Sequence, residues 1–334
     1  MTGSGQPRRA AAERRAGASG AVGTSLAVAA AVAFASSGPL AKSVMDAGVG
    51  SGQLTWLRIG LAAVLALVNA LALRPGSLRF HGRDWVEMLG FGLFGVAGAQ
   101  WFFFAAVARL PVAVAMLLEA TAPVFVALWV RFVRRRRLPV AVWLGIGLAI
   151  AGLAAAAQVW QVGTLDAIGV LEGLGSALCA AGYFLIGQRV VTTCDPLGVL
   201  TVSLLIGLLA VSFTIPPWTV PFSGLDASAL LGGVVLPVWF VITMLAVVST
   251  VVPYLCGLAS LRHLPPSAAS VLGLLEPGVA AVLAWWLLGQ SLTAPQLLGG
   301  LAVLAGAAVV QVAIHRRAGT PLHVTNHRDR HHTR

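Results

Sequence analysis

The chain has 334 residues, 58% hydrophobic and only 10% charged, with a mean hydropathy of +0.89. A soluble domain carries about 25% charged residues, so a globular enzyme is excluded and a polytopic membrane protein is implied. The net charge of +11 does not indicate nucleic acid: of 22 basic residues 21 are arginine, and most lie in tails and short connections between apolar runs, the pattern of membrane orientation.

Residues 1–19 (MTGSGQPRRAAAERRAGAS) read as a disordered basic cytoplasmic tail. The apolar run that follows continues past signal-peptide length. A spanning helix needs roughly 20 predominantly apolar residues. Runs of that kind fall at 20–45, 52–73, 86–108, 111–132, 140–160, 167–190, 197–217, 234–261, 266–289 and 296–315. The eighth has a vague start, because 229–261 exceeds one span and holds Pro237 and Pro253. Irregular backbone cannot face lipid, which places Pro237 near the interface or against protein. Residues 316–334 form a second basic cytoplasmic tail. Its four His in "HVTNHRDRHHTR" read as a solvated end and not a metal site. Cys179, Cys194 and Cys256 form no CxxC pair and read as small core residues. No cofactor or metal is implied.

Lys and Arg in short loops set orientation. With both ends inside, 19 of the 22 basic residues are cytoplasmic, and only Lys42, Arg58 and Arg109 fall elsewhere. An odd span count would put a large basic group outside.

A shift of 154 residues aligns "RLPVAVAMLLEATAP" (109–123) with "HLPPSAASVLGLLEP" (263–277). In the same register Pro123 meets Pro277, Leu144-Gly145 meets Leu298-Gly299, and Ala151-Gly152 meets Ala305-Gly306. The expected fold is therefore all-α, ten transmembrane helices as two five-helix repeats, 20–160 and 165–315. Five is odd, so the repeats are inverted. The charges agree: "RFVRRRR" (131–137) follows the fourth helix, and its counterpart "WWLLGQS" (285–291) is uncharged. Inverted repeats are the signature of secondary transporters with a midplane site.

The stretches "LEATAPVFVAL" (118–128) and "STVVPYLCGLASLRHLPPSAASVLGLLEPGVAAVLAWWLLGQSLTAPQLLGGLAVLAG" (249–306) resemble the EamA-type branch of the drug/metabolite transporter superfamily. The second stretch is also similar to the amino-acid exporter group typified by threonine/homoserine efflux proteins. The resemblance covers roughly residues 20–312 and implies the ten-helix inverted fold. Family members move very different cargoes. One departure is Gln290 after Gly289, where the family usually has an acidic residue; its first-half equivalent is Arg136.

Candidate residues follow from cost. An ionisable group near the bilayer centre is expensive and faces a cavity or partner. Glu119 lies eight residues after Pro111, about 12 Å at 1.5 Å per residue. Pro123 has no N–H, so the carbonyl of Glu119 loses its helical partner. Pro277 likewise frees the carbonyl of Gly273, with Glu276 nearly one turn along the same face. Two carboxylates with free carbonyls suit an ammonium or a proton. A structural pair, such as Glu119 with Lys42 or Arg58, is the competing view.

In the first helix, Ser36, Ser37 and Gly38 before Pro39 offer hydroxyls and a weak point, or plain packing. Lys42 binds a substrate carboxylate or snorkels outward. Arg58 reads as an outer-interface anchor or a partner of Asp46. Gln100 and Trp101 stand among aromatics in the third helix, and the shift maps Gln100 onto Tyr254, near Ser249 and Thr250. Aromatic walls with an amide or hydroxyl suit a small amphipathic solute. Trp129, Trp143, Trp285 and Trp286 read as interfacial belt, and Glu172, between Gly169 and Gly173, as a paired structural acid near an Arg or Gln188. Glycines 90, 92, 95 and 98 lack a following GK[ST] and read as helix contacts.

The reading that results is a secondary transporter, an exporter of amino acids or similar small metabolites across a bacterial plasma membrane by alternating access, with proton coupling through Glu119. Its partners are a small-molecule metabolite, the lipid bilayer and protons, with a homodimer also entertained and no nucleic acid. Alternatives are a drug or other metabolite carrier of the same fold, an intramembrane enzyme, which lacks any HExxH, GxSxG or paired catalytic Asp, and a non-transporting scaffold or channel.

Overall fold

The structure is a computed structural model that describes residues 6–80, 82, 84–135, 138–156, 166–220, 222–260, 262–264 and 272–318. Arg83, Arg136, Arg137, the start of the ninth run, the Gln188 side chain and the His-rich tail lie outside the described part. Among the described residues, seven helices are long and apolar enough to cross a membrane. They are α1 (Gly20–Asp46), α2 (Ser51–Leu73), α3 (Asp84–Arg109), α4 (Val112–Phe132), α6 (Ala167–Val191), α7 (Pro196–Thr214) and α8 (Val238–Ser260). Three shorter apolar stretches complete the set: α5 (Val140–Ala156), α9 (Leu275–Leu288) and the apolar part, Ala294–Val310, of α10 (Ala294–Ala318). The chain is thus a mostly helical polytopic membrane protein. Its outward faces carry large apolar side chains such as Val68, Leu144, Phe213 and Trp286, as helices in lipid require.

Two expectations need correction. The N-terminal tail is not without structure: the helix that becomes α1 begins at Gln6, in keeping with the helix propensity of its Ala, Arg and Glu. The eighth helix starts at Val238, not 234. Residues 228–237 form an antiparallel hairpin of β1 (Ser228–Leu231) and β2 (Val234–Pro237). Gly232 and Gly233 adopt φ of +60° and +79°, which a two-residue turn of this kind demands. The Gly232 N–H donates to the Leu287 carbonyl at 2.9 Å, tying the hairpin to the end of α9.

Prolines set where helices break. A proline deprives the carbonyl four residues back of its donor. The α-helical part of α4 stops at Glu119, four before Pro123, and resumes at Ala122. Residues 272–273 are helical, Leu274 is a turn, and α9 resumes at Leu275 ahead of Pro277. In α1 the stop is Ala35, four before Pro39. At a shift of 154 the interruptions of α4 and α9 coincide. So do two π-helical turns, Phe91–Gly98 in α3 and Val247–Val251 in α8.

The helices α5 and α10 meet backbone to backbone. A Cβ on Gly306 would lie 2.5 Å from the Gly145 carbonyl oxygen, and one on Gly299 would lie 2.5 Å from that of Gly152. Glycine is therefore obligatory at this seam. Gly145 meets Gly306 and Gly152 meets Gly299, so the two helices run antiparallel. Elsewhere the two largest buried clusters centre on Leu54, Phe104, Met116 and Leu245 and on Ile59, Phe91, Leu204 and Tyr254.

Candidate functional site

Glu119 occupies the last helical position before the α4 break. Its carboxylate accepts a hydrogen bond from the Ser176 hydroxyl of α6 at 3.0 Å. In α9, Glu276 sits in the first turn after the break. Both carboxylates lie deep in the bundle and interact electrostatically with each other, yet both keep partly accessible surface. They are therefore not sealed in fully packed protein. Among the described residues neither forms an ion pair within 4.0 Å. The freed backbone is partly served locally: the Thr121 hydroxyl donates to the Leu118 carbonyl at 2.6 Å.

The basic partner is Arg58, and here the sequence reading is corrected. Arg58 is no interfacial anchor, being only 2% exposed, and Asp46 pairs instead with Lys42 at 2.9 Å. From α2, its Nε donates to Thr250 Oγ1 at 2.6 Å, Nη1 to Ser37 Oγ at 2.8 Å and Nη2 to the Ser249 carbonyl at 2.5 Å. Ser249 stands four residues before Pro253, so its carbonyl is one that a proline has released from the helix. The guanidinium also lies over the Phe104 ring, 4.9 Å from its centroid. Glu119, Glu276 and Tyr254 are within electrostatic range of it, but among the described residues no carboxylate reaches it. Five helices thus fix one cation or its surroundings: α1 through Ser37, α2 through Arg58 itself, α3 through Phe104, and α8 and α4 around them.

Tyr254 is buried, its hydroxyl donating to the Gly95 carbonyl at 2.8 Å. That carbonyl is available because, in the π-helical stretch, the Ala99 N–H reaches back to Phe94. Gln100 lies beside the Tyr254 hydroxyl. Both of its amide atoms are nonetheless buried without a well-formed hydrogen bond among the described residues, a cost of about 1–3 kcal/mol if nothing else satisfies them. Ser36 joins the same region through Ser249 Oγ at 2.7 Å. The structure thus gathers Glu119, Glu276, Gln100, Tyr254 and Ser37 around one polar centre. It does not bring Lys42, whose ammonium is held by Asp46, or Trp101, which packs at Gly52 near the start of α2. Trp129, Trp143, Trp285 and Trp286 are exposed on the outside of the bundle.

Glu172 pairs with Arg109 at 3.3 Å, and Arg109 also bonds Asp166 at 3.0 Å. Asp166 caps α6 by accepting from the Ile168 and Gly169 amides. The hydrogen bond from Arg109, then those amides, hold its carboxyl below the usual carboxylate range. Gly169 and Gly173 pack against Leu110 and Leu118. Residues that the sequence reading missed are Arg58 and Ser176. The placement of Pro253 four residues after Ser249 signals the released carbonyl that Arg58 fills; nothing marks Ser176.

The EamA-like transporter family matches residues 21–157 and again 167–312. The threonine/homoserine exporter RhtA of Salmonella typhimurium is 30% identical over 283 residues, covering 84% of this chain and 88% of that protein. The protein of that name in Escherichia coli K12 is 32% identical over 270 residues, covering 80% and 83%. An uncharacterized transporter of Archaeoglobus fulgidus is 27% identical over 236 residues, covering 71% and 80%. A solved crystal structure superposes with a TM-score of 0.57 at 18% identity, covering 91% of this chain and 99% of its own, a likeness of fold alone. The chain belongs to the EamA-like transporter family: it is a membrane transporter and not an enzyme.

Proposed function

We propose that the protein exports amino acids or closely related small metabolites across the bacterial plasma membrane by alternating access. In this reading all ten helices cross the membrane as two inverted five-helix repeats, 20–160 and 165–315, with both ends cytoplasmic. The antiparallel α5–α10 seam supports it. Gly145 and Gly299 are repeat partners, as are Gly152 and Gly306, and each contacts the other's partner. A two-fold relation between halves generates that crossed pattern, and the antiparallel sense calls for inversion.

The observation that carries the function is the pair of carboxylates, one from each half, at matched helix breaks and within electrostatic range of each other. Carboxylates and released carbonyls favour an ammonium group, and the names of the exporter relatives point to the same chemistry. Rocking of one half against the other would expose this centre to each side in turn. Protonation of Glu119 couples the cycle to the proton gradient.

The test is efflux of labelled L-threonine from proteoliposomes with and without a pH gradient. The wild-type protein accelerates efflux when the gradient is imposed. Glu119→Gln, which keeps an acceptor for Ser176, exchanges substrate only with a raised KM and ignores the gradient. A gradient response that survives in Glu119→Gln removes the coupling role. A metabolite and drug panel in counterflow separates amino-acid export from carriage of another solute.

A further inference from the structure

Arg58 is a cation deep in the bundle whose hydrogen-bond partners among the described residues are all neutral. Burying a guanidinium is costly unless its charge is answered. Pinning α2 to α1 and α8 takes only three neutral acceptors, which leave the charge itself unanswered. Arginine has five donors. Thr250, Ser37 and the Ser249 carbonyl take three, leaving one N–H on each Nη without a partner among the described residues. Phe104 against one face fixes the plane of the group. Gln100, with its unmatched amide, adds polar capacity beside Tyr254 in the same centre. The carboxyl groups of Glu119 and Glu276 stand within electrostatic range, and among the described residues neither contacts the guanidinium.

We propose that Arg58 receives the carboxylate of a zwitterionic substrate, with Ser37 steadying it, while Glu119 and Glu276 receive the ammonium. This deepens the transporter reading and rests on it. A planar guanidinium with an N–H on each terminal nitrogen matches a carboxylate. The substrate's two ends then meet opposite charges contributed by different helices. Each charged end cancels a charge that the empty site leaves unanswered, so the site selects α-amino acids over amines and over esters of the same acids.

The experiment is counterflow of labelled L-threonine into proteoliposomes of the full chain, with unlabelled L-threonine, L-threonine methyl ester and 1-amino-2-propanol as competitors. The ester and the amine keep the ammonium and lose the anion. Both are expected to compete about a hundredfold more weakly than L-threonine, as polar sites reject analogues that leave their groups unpaired. Arg58→Lys keeps a cation and loses the planar fork, so it raises the KM for L-threonine and narrows the gap between acid and ester. A purely structural pin would lower the yield of folded protein and leave that gap unchanged. An ester that competes as well as the acid in the wild type, or an acid-to-ester ratio unaltered in Arg58→Lys, overturns the Arg58 assignment while leaving a transporter in place. Absence of counterflow with every common α-amino acid overturns the amino-acid reading and the assignment together.

Discussion

Arg109 ends α3 with 42% of its side chain exposed and pairs with Asp166 at 3.0 Å and Glu172 at 3.3 Å. Arg58, 2% exposed, bonds only neutral oxygens. The exposed arginine has its charge answered by fixed acids, in a setting where water and salt do most of the screening. Such pairs are worth about 0–1 kcal/mol, enough to tie the α3–α4 corner to α6 and weak enough to open. The buried arginine has no such answer from the described residues, and water cannot supply one. Arg109 is paired as a structural cation is; Arg58, held among hydroxyls, is the one proposed above to bind substrate.

That contrast yields predictions of decreasing size. Arg58→Ala should abolish transport and destabilise the detergent-solubilised protein by about 3 kcal/mol, since it strands Ser37, Thr250 and the Ser249 carbonyl together; thermal melting and counterflow check both. Thr250→Val removes one acceptor from a charged donor and should cost about 2 kcal/mol, with no change between low and high salt. Arg109→Gln should cost about 0.5 kcal/mol, and the loss should shrink further in high salt because the pair is exposed. A salt-sensitive Thr250→Val, or a salt-insensitive Arg109→Gln, would break the comparison.

The smallest effect is one of pH. Asp166 is held below its ordinary value by Arg109 and by the α6 amides. A carboxylate lowered in the folded state contributes stability that is complete above the unfolded value near about 4 and is lost as pH falls through the folded value. Wild-type melting temperature should therefore drop on acidification below about pH 4, and Arg109→Gln, having lost the largest cause of the shift, should drop less.

Much of the fold is legible in the sequence because the membrane makes strict demands. The prolines at 39, 123 and 277 announce the breaks of α1, α4 and α9, for one missing N–H has one consequence. The two Leu-Gly and Ala-Gly matches that revealed the 154-residue shift are the same glycines that touch in the α5–α10 seam. The hairpin was misread because Val234, Val235 and Leu236 are as apolar as a span; the Gly232-Gly233 pair between two apolar triplets was the turn signal. Arg58 was misread because it was set at the start of its helix, although α2 begins at Ser51. At 1.5 Å per residue it lies roughly 10 Å in, where the rule applied to Glu119 applies equally. Its partners stand 21 and 192 residues away in sequence, beyond any local pattern. The proline rule applied to Pro253 would have found the Ser249 carbonyl, though not the donor that fills it.

The central claim is a polar centre shared by two halves and opened to each side in turn. Gly273, at the α9 break, has no described atom within 4 Å of where a Cβ would stand. Gly273→Cys, with Cys179, Cys194 and Cys256 replaced, can therefore be probed with a membrane-impermeant thiol reagent in vesicles of each orientation. The account predicts labelling from both sides and slower labelling when L-threonine is present. Labelling from neither side, or a rate indifferent to L-threonine, would contradict it.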